Sequence, residues 1–401
     1  MVDGNAMRRH RILTLNQISR HGLDRFPPAR YEVGKAVDAP DAILLRSHDM
    51  HAMAIPASVR AIGRAGAGTN NIPVAAMSKR GVPVFNAPGA NANAVKELVV
   101  AALLMASRNI VPALAYVAGL SPDAPDLEAQ VEDGKKKFAG VELPSRTLGI
   151  IGLGAIGSLV ADTALKLGMQ VVGYDPEITV DAAWRLPASV RKANTIDDVL
   201  KHSDFVTLHL PLLPSTRHLV DAKRLALMKH RAVLLNFARD ALVAEDAVVA
   251  ALRAKRLQYY VCDFPGAALL REPGVIALPH LGASTAEAED NCAVMVVDQV
   301  RAYLEHGTIA NAVNFPGVEM HRESQHRVAI ANANVPNMLG QISTAMANAG
   351  LNIHNMVNKS RGEMAYTLVD VDSPVGADVI DAIGAIVGVL SVRAIPAADS
   401  A

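Results

Sequence analysis

Residues 147–157 read TLGIIGLGAIG, an apolar run that breaks into three glycines at Gly152, Gly154 and Gly157. A short strand closing on G-x-G-x-x-G and opening into the helical pattern SLVADTALKLG is a dinucleotide-binding βα unit. Gly152 permits the tight turn, Gly154 lets the backbone approach a pyrophosphate, and Gly157 lets the helix pack on its sheet. Ala155 and Ile156 complete the turn, and the helix N-terminus attracts the anion. The next strand-like run, VVGYD, ends in Asp175, near the ~20-residue spacing at which an acid takes the ribose hydroxyls. An acid there repels a 2′-phosphate, so the pattern predicts NAD over NADP.

Working outward, DFVTLHL, AVLLNFA, YYVCDF and VIALPH follow with helical patterns between them, the rhythm of a parallel sheet. Upstream, RILTL, DAILLRS, VRAIGRAGAG and GVPVFNAPG repeat that rhythm, which predicts a second doubly wound sheet. Between the two lies VKELVVAALLMASRNI, apolar on nearly every side and expected to be buried between domains or subunits. The Val95–Ala106 part of it points to a dimer. After PHLGAST a long helix ends near EHG, and the polar MHRESQH reads as a linker. The remainder gives βαββαβ, a split module often used for small-ligand sensing.

The expected fold is therefore α/β, with two doubly wound parallel-sheet lobes and a C-terminal module. A flavodoxin-like substrate lobe takes 1–92 and 291–320, a Rossmann cofactor lobe 93–290, a linker 321–327 and the module 328–401. Any coupling to the module is expected to pass through that one short linker.

Composition narrows the function. In 401 residues, 39 basic and 39 acidic side chains balance, which offers nothing to nucleic acid or an anionic membrane. An apolar fraction of 51% with mean hydropathy +0.21 describes a well-buried globular chain. Cys262 and Cys292 alone give no disulfide framework, and no metal-ligand cluster stands out. The single Trp184 argues against a base-stacking surface. With no signal-peptide core and no apolar run of ~18 residues, a cytoplasmic protein is expected.

In open α/β sheets ligands bind beyond the carboxyl ends of the strands. Arg239, after AVLLNFA, and His280, after VIAL, stand at such ends. Arg239 keeps its proton, so it can hold a carboxylate and polarise a carbonyl oxygen. His280 can exchange a proton near neutral pH. Two successive sheet tips are expected to aim both at one nicotinamide ring. The competing readings are a structural histidine and an Arg239–Asp240 surface pair.

The runs GLGAIG, HLPLLPSTRHLV, NFARDALV and PHLGAST resemble the D-isomer-specific 2-hydroxyacid dehydrogenases. With LLRSHD, GRAGAGTNN and NAPGANANAVKELV in front and the sensing module behind, the likeness is to the phosphoglycerate dehydrogenase branch. It implies NAD as cofactor, 3-phosphoglycerate as substrate, a place in serine biosynthesis, a C-terminal ACT domain and a homodimer or dimer of dimers. It implies His280 as acid/base and Arg239 on the carboxylate and reacting oxygen. Ala67 and Gly68 would cradle the carboxylate, and Arg46 and Ser47, with Arg64, would meet the phosphate. The run Lys135 to Lys137 has two readings, a reach to the phosphate across a subunit contact and a solvated loop. Leu210, Pro211, Phe237 and Ala238 would line the cofactor site, and Asp263 would accept from the carboxamide.

The sequence departs from the family at one point. CDFPGAALLREPG carries no Glu where the family places the carboxylate that orients the histidine. Asp263 is the preferred substitute, with Glu272 or no partner as alternatives. In the module the likeness implies a serine effector between two copies, at Asn334 and Asn352. Asn332 stands where a histidine is common and Asn337 where glycine is usual, and all four also read as turn and cap asparagines. The nearest rival is a glyoxylate or hydroxypyruvate reductase of the same superfamily. A redox-responsive binding protein on the same scaffold is the rival from another class.

Overall fold

The computed structural model describes residues 9–396. Residues 1–8 and 397–401, the outer ends of the expected substrate lobe and module, lie outside the described residues. The chain divides into two compact units, Ala92–Thr285 and the remainder.

In the divided unit, β1 (His10–Thr14), β2 (Tyr31–Gly34), β3 (Ala42–Leu45), β4 (Ala61–Arg64) and β5 (Val84–Phe85) form a parallel sheet. Its order β2-β1-β3-β4-β5 is that of a flavodoxin-like sheet. The helix Ala286–His306 buries Cys292, Ala293, Val296, Val297, Val300, Tyr303 and Leu304, at steps of one, three and four. It packs on β4, where a Cβ on Gly63 would come 2.7 Å from Val296. This unbroken helix carries residues 286–290, expected in the cofactor lobe, into the substrate unit.

The other unit holds β6 (Thr147–Ile151), β7 (Gln170–Tyr174), β8 (Arg191–Lys192), β9 (Phe205–Leu208), β10 (Ala232–Asn236), β11 (Leu257–Cys262) and β12 (Val275–Ala277). They are parallel, in the order β12-β11-β10-β9-β6-β7-β8. Counted within the sheet this is the Rossmann order 3-2-1-4-5-6 extended by one strand. β6, β9 and β10 are buried at every position, as strands covered on both faces must be.

The apolar helix Ala92–Ser107 packs Val95, Val99, Ala102, Leu103 and Ala106 into this unit's own core with Leu148, Ile150 and Val160. Its apolarity is answered within the chain, so it no longer argues for a dimer. Exposed apolar side chains sit on the next helix, Ile110–Ala118, at Leu114 and Val117. No single helix among the described residues is long and apolar enough to cross a membrane.

β13 (His326–Ala333), β14 (Ile353–Arg361), β15 (Met364–Val371) and β16 (Val389–Ile395) make an antiparallel sheet, order β14-β15-β13-β16. Side chains alternate faces along a strand. Val328, Ile330, Val369 and Val371 face the helices Met338–Asn348 and Ala377–Gly384. Ala329, Ala331, Tyr366, Leu368 and Ile395 enter one core with Ile12, Phe85, Val300 and Tyr303 of the substrate lobe.

The expectation of a module hanging on a linker is thereby corrected. Arg327, placed in that linker, lies in β13 and is 1% exposed in a bidentate pair with Asp370. It also donates to the His306 carbonyl, Tyr366 Oη donates to Gly307 O, and Arg393 reaches the Tyr303 and Leu304 carbonyls. Three side chains of the module thus bond carbonyls at the end of the long helix.

Candidate active site

The glycine turn has the shape that its sequence demands. Gly152 has φ +96°, and a Cβ there would come 2.4 Å from the His209 carbonyl oxygen. A Cβ on Gly157 would come 2.0 Å from the Gly152 oxygen, so only glycine lets the helix Ala155–Lys166 start against the strand. A Cβ on Gly154 would meet nothing within 4 Å, which is the open approach that a pyrophosphate needs. Asp175 Oδ2 accepts from Leu153 N at 2.8 Å and Oδ1 from Glu177 N at 3.0 Å. The acid is fixed to the turn and keeps lone pairs for ribose hydroxyls. Leu210 comes against Gly152, Phe237 is buried, and Pro211 and Ala238 lie just beyond the carboxyl ends of β9 and β10. These residues fit a dinucleotide.

His209 was not singled out from the sequence. Its Nε2 lies 3.0 Å from Thr207 Oγ1, and its Nδ1 is shielded from solvent without a partner. Burial pushes its pKa down to about 4, so the ring is neutral at physiological pH.

The register of β10, β11 and β12 aligns Asn236, Cys262 and Ala277. Arg239 and His280 each come three residues beyond those aligned positions, and Asp263 comes one beyond. The two tips are not successive, because β11 lies between them; the strand axes are about 10 Å apart, twice the ~4.8 Å spacing of neighbours. Both side chains are exposed. Arg239 donates to the Ala238 carbonyl, and the alternative pair with Asp240 does not form among the described residues. Asn236, also missed from the sequence, is fully buried and holds this turn: its amide donates to Arg239 O at 2.7 Å and its Oδ1 accepts from Ala238 N. The signal was a carboxamide closing an otherwise apolar strand.

His280 has φ +56°, a left-handed backbone that costs a non-glycine residue about 1–2 kcal/mol. Its ring lies 4.5 Å from the Phe264 ring, and the His280 backbone N–H donates to the Asp263 backbone carbonyl at 3.0 Å. Asp263 is 1% exposed, and its carboxylate accepts from Leu281 N at 2.7 Å and Gly282 N at 2.8 Å. This corrects its expected bond to the imidazole: the acid fixes the backbone that carries the histidine. Glu272 does not swing in either, since Arg253 Nη2 holds it at 2.7 Å.

In the other unit, Arg46 follows β3 and Arg64 closes β4. Arg46 pairs with Glu289 at 2.6 Å, and a Cβ on Gly66 would come 2.5 Å from Arg64 Nη1. Arg64 therefore lies along the 66–68 loop, where Ala67 and Gly68 were expected to hold a carboxylate. Burial raises the Cys292 thiol, and the charges of Arg46, Arg64 and Glu289 act on it as well. Ser47 is exposed. Asn71 donates to the carbonyls of Arg46 and His48, tying the loop after β3. The lysine run is occupied locally: Lys135 pairs with Glu132, Lys136 with Asp133, and Lys137 lies over Tyr116.

In the module, Asn334 donates to Gly362 O, and Asn352 N donates to Asp372. These sit beside Met364 and Val371, the two ends of β15, about 24 Å apart at roughly 3.4 Å per residue. One copy does not bring the two asparagines together. A depression of about 400 Å³ is lined instead by Asn337, Gln341, Thr344, Asn348 and Ile386. Asn337 has φ +62°, a region where asparagine replaces glycine at least cost. Asn332 is buried, with its amide on Ala333 O.

Comparison with known proteins gives the same direction. Residues 101–282 match the D-isomer specific 2-hydroxyacid dehydrogenase, NAD binding domain. A D-3-phosphoglycerate dehydrogenase of Methanocaldococcus jannaschii is 34% identical over 78% of this chain and 57% of its own length. That of Haemophilus influenzae is 34% identical over 76% of this chain and 74% of its own. The chain thus spans just over half of the first relative and about three quarters of the second. Among solved structures, the apo D-mandelate dehydrogenase of Rhodotorula graminis superposes with a TM-score of 0.67, at 23% identity, covering 76% of this chain and 98% of that one.

Proposed function

The chain belongs to the D-isomer-specific 2-hydroxyacid dehydrogenases, and from that premise we propose that it oxidises 3-phospho-D-glycerate to 3-phosphohydroxypyruvate. The observation that carries the chemistry is that Arg239 and His280 stand equally far, three residues, beyond the aligned ends of β10 and β12, in the sheet that bears the dinucleotide turn. NAD supplies the hydride acceptor. His280 Nε2 or Nδ1 takes the C2 hydroxyl proton as the carbinol hydrogen leaves as hydride. Arg239 holds the carboxylate and steadies the oxygen that becomes a carbonyl. Asp263 and Asn236 act through the backbone, each fixing the turn that carries a reacting side chain.

The substrate phosphate falls to Arg46, Ser47 and Arg64, with Ala67 and Gly68 on the carboxylate. The names of the relatives support this choice. The same reading makes the protein a cytoplasmic homo-oligomer of serine biosynthesis whose ACT-like module takes serine. Because Asn334 and Asn352 stand at opposite ends of β15, a serine touching both must sit between modules of two copies.

The test is NADH formation from 3-phospho-D-glycerate and from D-glycerate, with and without L-serine. A kcat/KM favouring the phosphorylated acid by tenfold or more is expected. A ratio near one, or reversed, transfers the protein to the hydroxypyruvate reductases.

A further inference from the structure

Glu289 stands on the first turn of the helix Ala286–His306 and meets Arg46 at 2.6 Å. The helix dipole favours a carboxylate at that end. The charge of Arg64, at the end of the neighbouring strand, also acts on the Cys292 thiol, as do those of Arg46 and Glu289. A dianionic phosphate arriving at Arg46 meets a carboxylate already in its place.

We propose that Glu289 is a built-in competitor for Arg46 that sets how strongly the protein prefers substrates with a distal phosphate over those without one. The inference rests on the proposed reading that Arg46 receives the substrate's distal anion. A 2-hydroxy acid with no distal charge leaves the Arg46–Glu289 pair intact. A phosphorylated one must break that pair and also lie beside the carboxylate. Both partners are partly exposed, 38% and 44% by side chain, so the pair is a weak one that an incoming anion can displace. Glu289 thereby trades affinity for the phosphorylated acid against a defined Arg46 rotamer in its absence.

The test compares wild type with Glu289→Gln and Glu287→Gln. Glu287 is exposed on the same first turn, so its variant removes the same charge from the same helix end. The kcat/KM ratio of 3-phosphohydroxypyruvate to hydroxypyruvate, with NADH, should rise about threefold to tenfold in Glu289→Gln, as expected for an exposed pair plus relief of like-charge repulsion. It should stay within twofold in Glu287→Gln. An unchanged ratio in Glu289→Gln, or an equal rise in both variants, overturns the proposal. If no phosphorylated acid is turned over, the proposed substrate is wrong, and inorganic phosphate then decides the competitor role. Its inhibition constant against hydroxypyruvate should fall at least threefold in Glu289→Gln, and a constant equal to wild type overturns the proposal.

Discussion

On the proposed reading, Gly152–Gly157 receives an anion with its backbone, whereas the region around Arg46 does so with side chains. In the cofactor unit a positive φ, an absent Cβ and two carboxylates locked onto amide groups leave little to adjust. In the substrate unit the same task falls to guanidinium groups on flexible stems, one of them held by an exchangeable Glu289. The difference separates what must stay constant from what can vary. Hydride chemistry demands one geometry for every substrate, so it is built into strand ends and turns. Substrate choice is a difference of affinities, and single side chains tune it.

The largest effect expected falls on the constant part. His280→Ala should cut kcat by about 10²–10⁴ while NADH binding, measured by fluorescence titration, stays within twofold. A comparable loss of NADH affinity would mean that the histidine serves the fold, and the contrast between the regions would fail.

Two glycines of one turn sharpen the same contrast. Gly157→Ala forces a Cβ into the Gly152 carbonyl, so it should weaken NADH about tenfold to a hundredfold and lower Tm by several degrees. Gly154→Ala meets no atom, so Tm should hold while NADH binding weakens by a smaller factor. Equal losses of Tm would show that the open approach at Gly154 does not exist.

Arg46→Ala tests the adjustable side. KM for the phosphorylated acid should rise about tenfold, the unphosphorylated acid should change less, and NADH binding should not move. Equal harm to both acids would remove Arg46 from phosphate recognition.

The smallest effect is one of pH. His209 is pushed down to about 4 in the fold, against about 6.5 when unfolded, so the unfolded chain takes up its proton first. Its contribution to stability is present above pH 6.5 and is lost as pH falls from 6.5 through 4. The Tm difference between pH 7.5 and pH 5 should therefore shrink in His209→Gln. An undiminished difference would assign the acid sensitivity to other groups.

Much of this was legible in advance because it is local. The dinucleotide turn, Asp175 and the strand-end positions of Arg239 and His280 follow from period-two and period-3.6 patterns within a few dozen residues. Asp263 was recognised as important yet given the wrong bond, because a sequence does not say whether a buried carboxylate meets a ring or an amide. Lys135–Lys137 read as a solvated loop or as a reach to the phosphate, and only the fold shows acids one helical turn back pairing with two of them. The apolar helix Ala92–Ser107 read as an interface, since apolarity alone does not tell an inner core from an outer one.

By itself the sequence determined the two doubly wound sheets, the cofactor and the identity of the acid/base candidate, because each is written in contiguous spacing. Only tertiary structure decided that β11 separates the two reactive tips, that Glu289 answers Arg46, and that the C-terminal sheet shares a core with the substrate lobe. Those three are pairings between distant segments. Such pairings depend on which faces come to exclude water together, and that is settled by the whole chain at once.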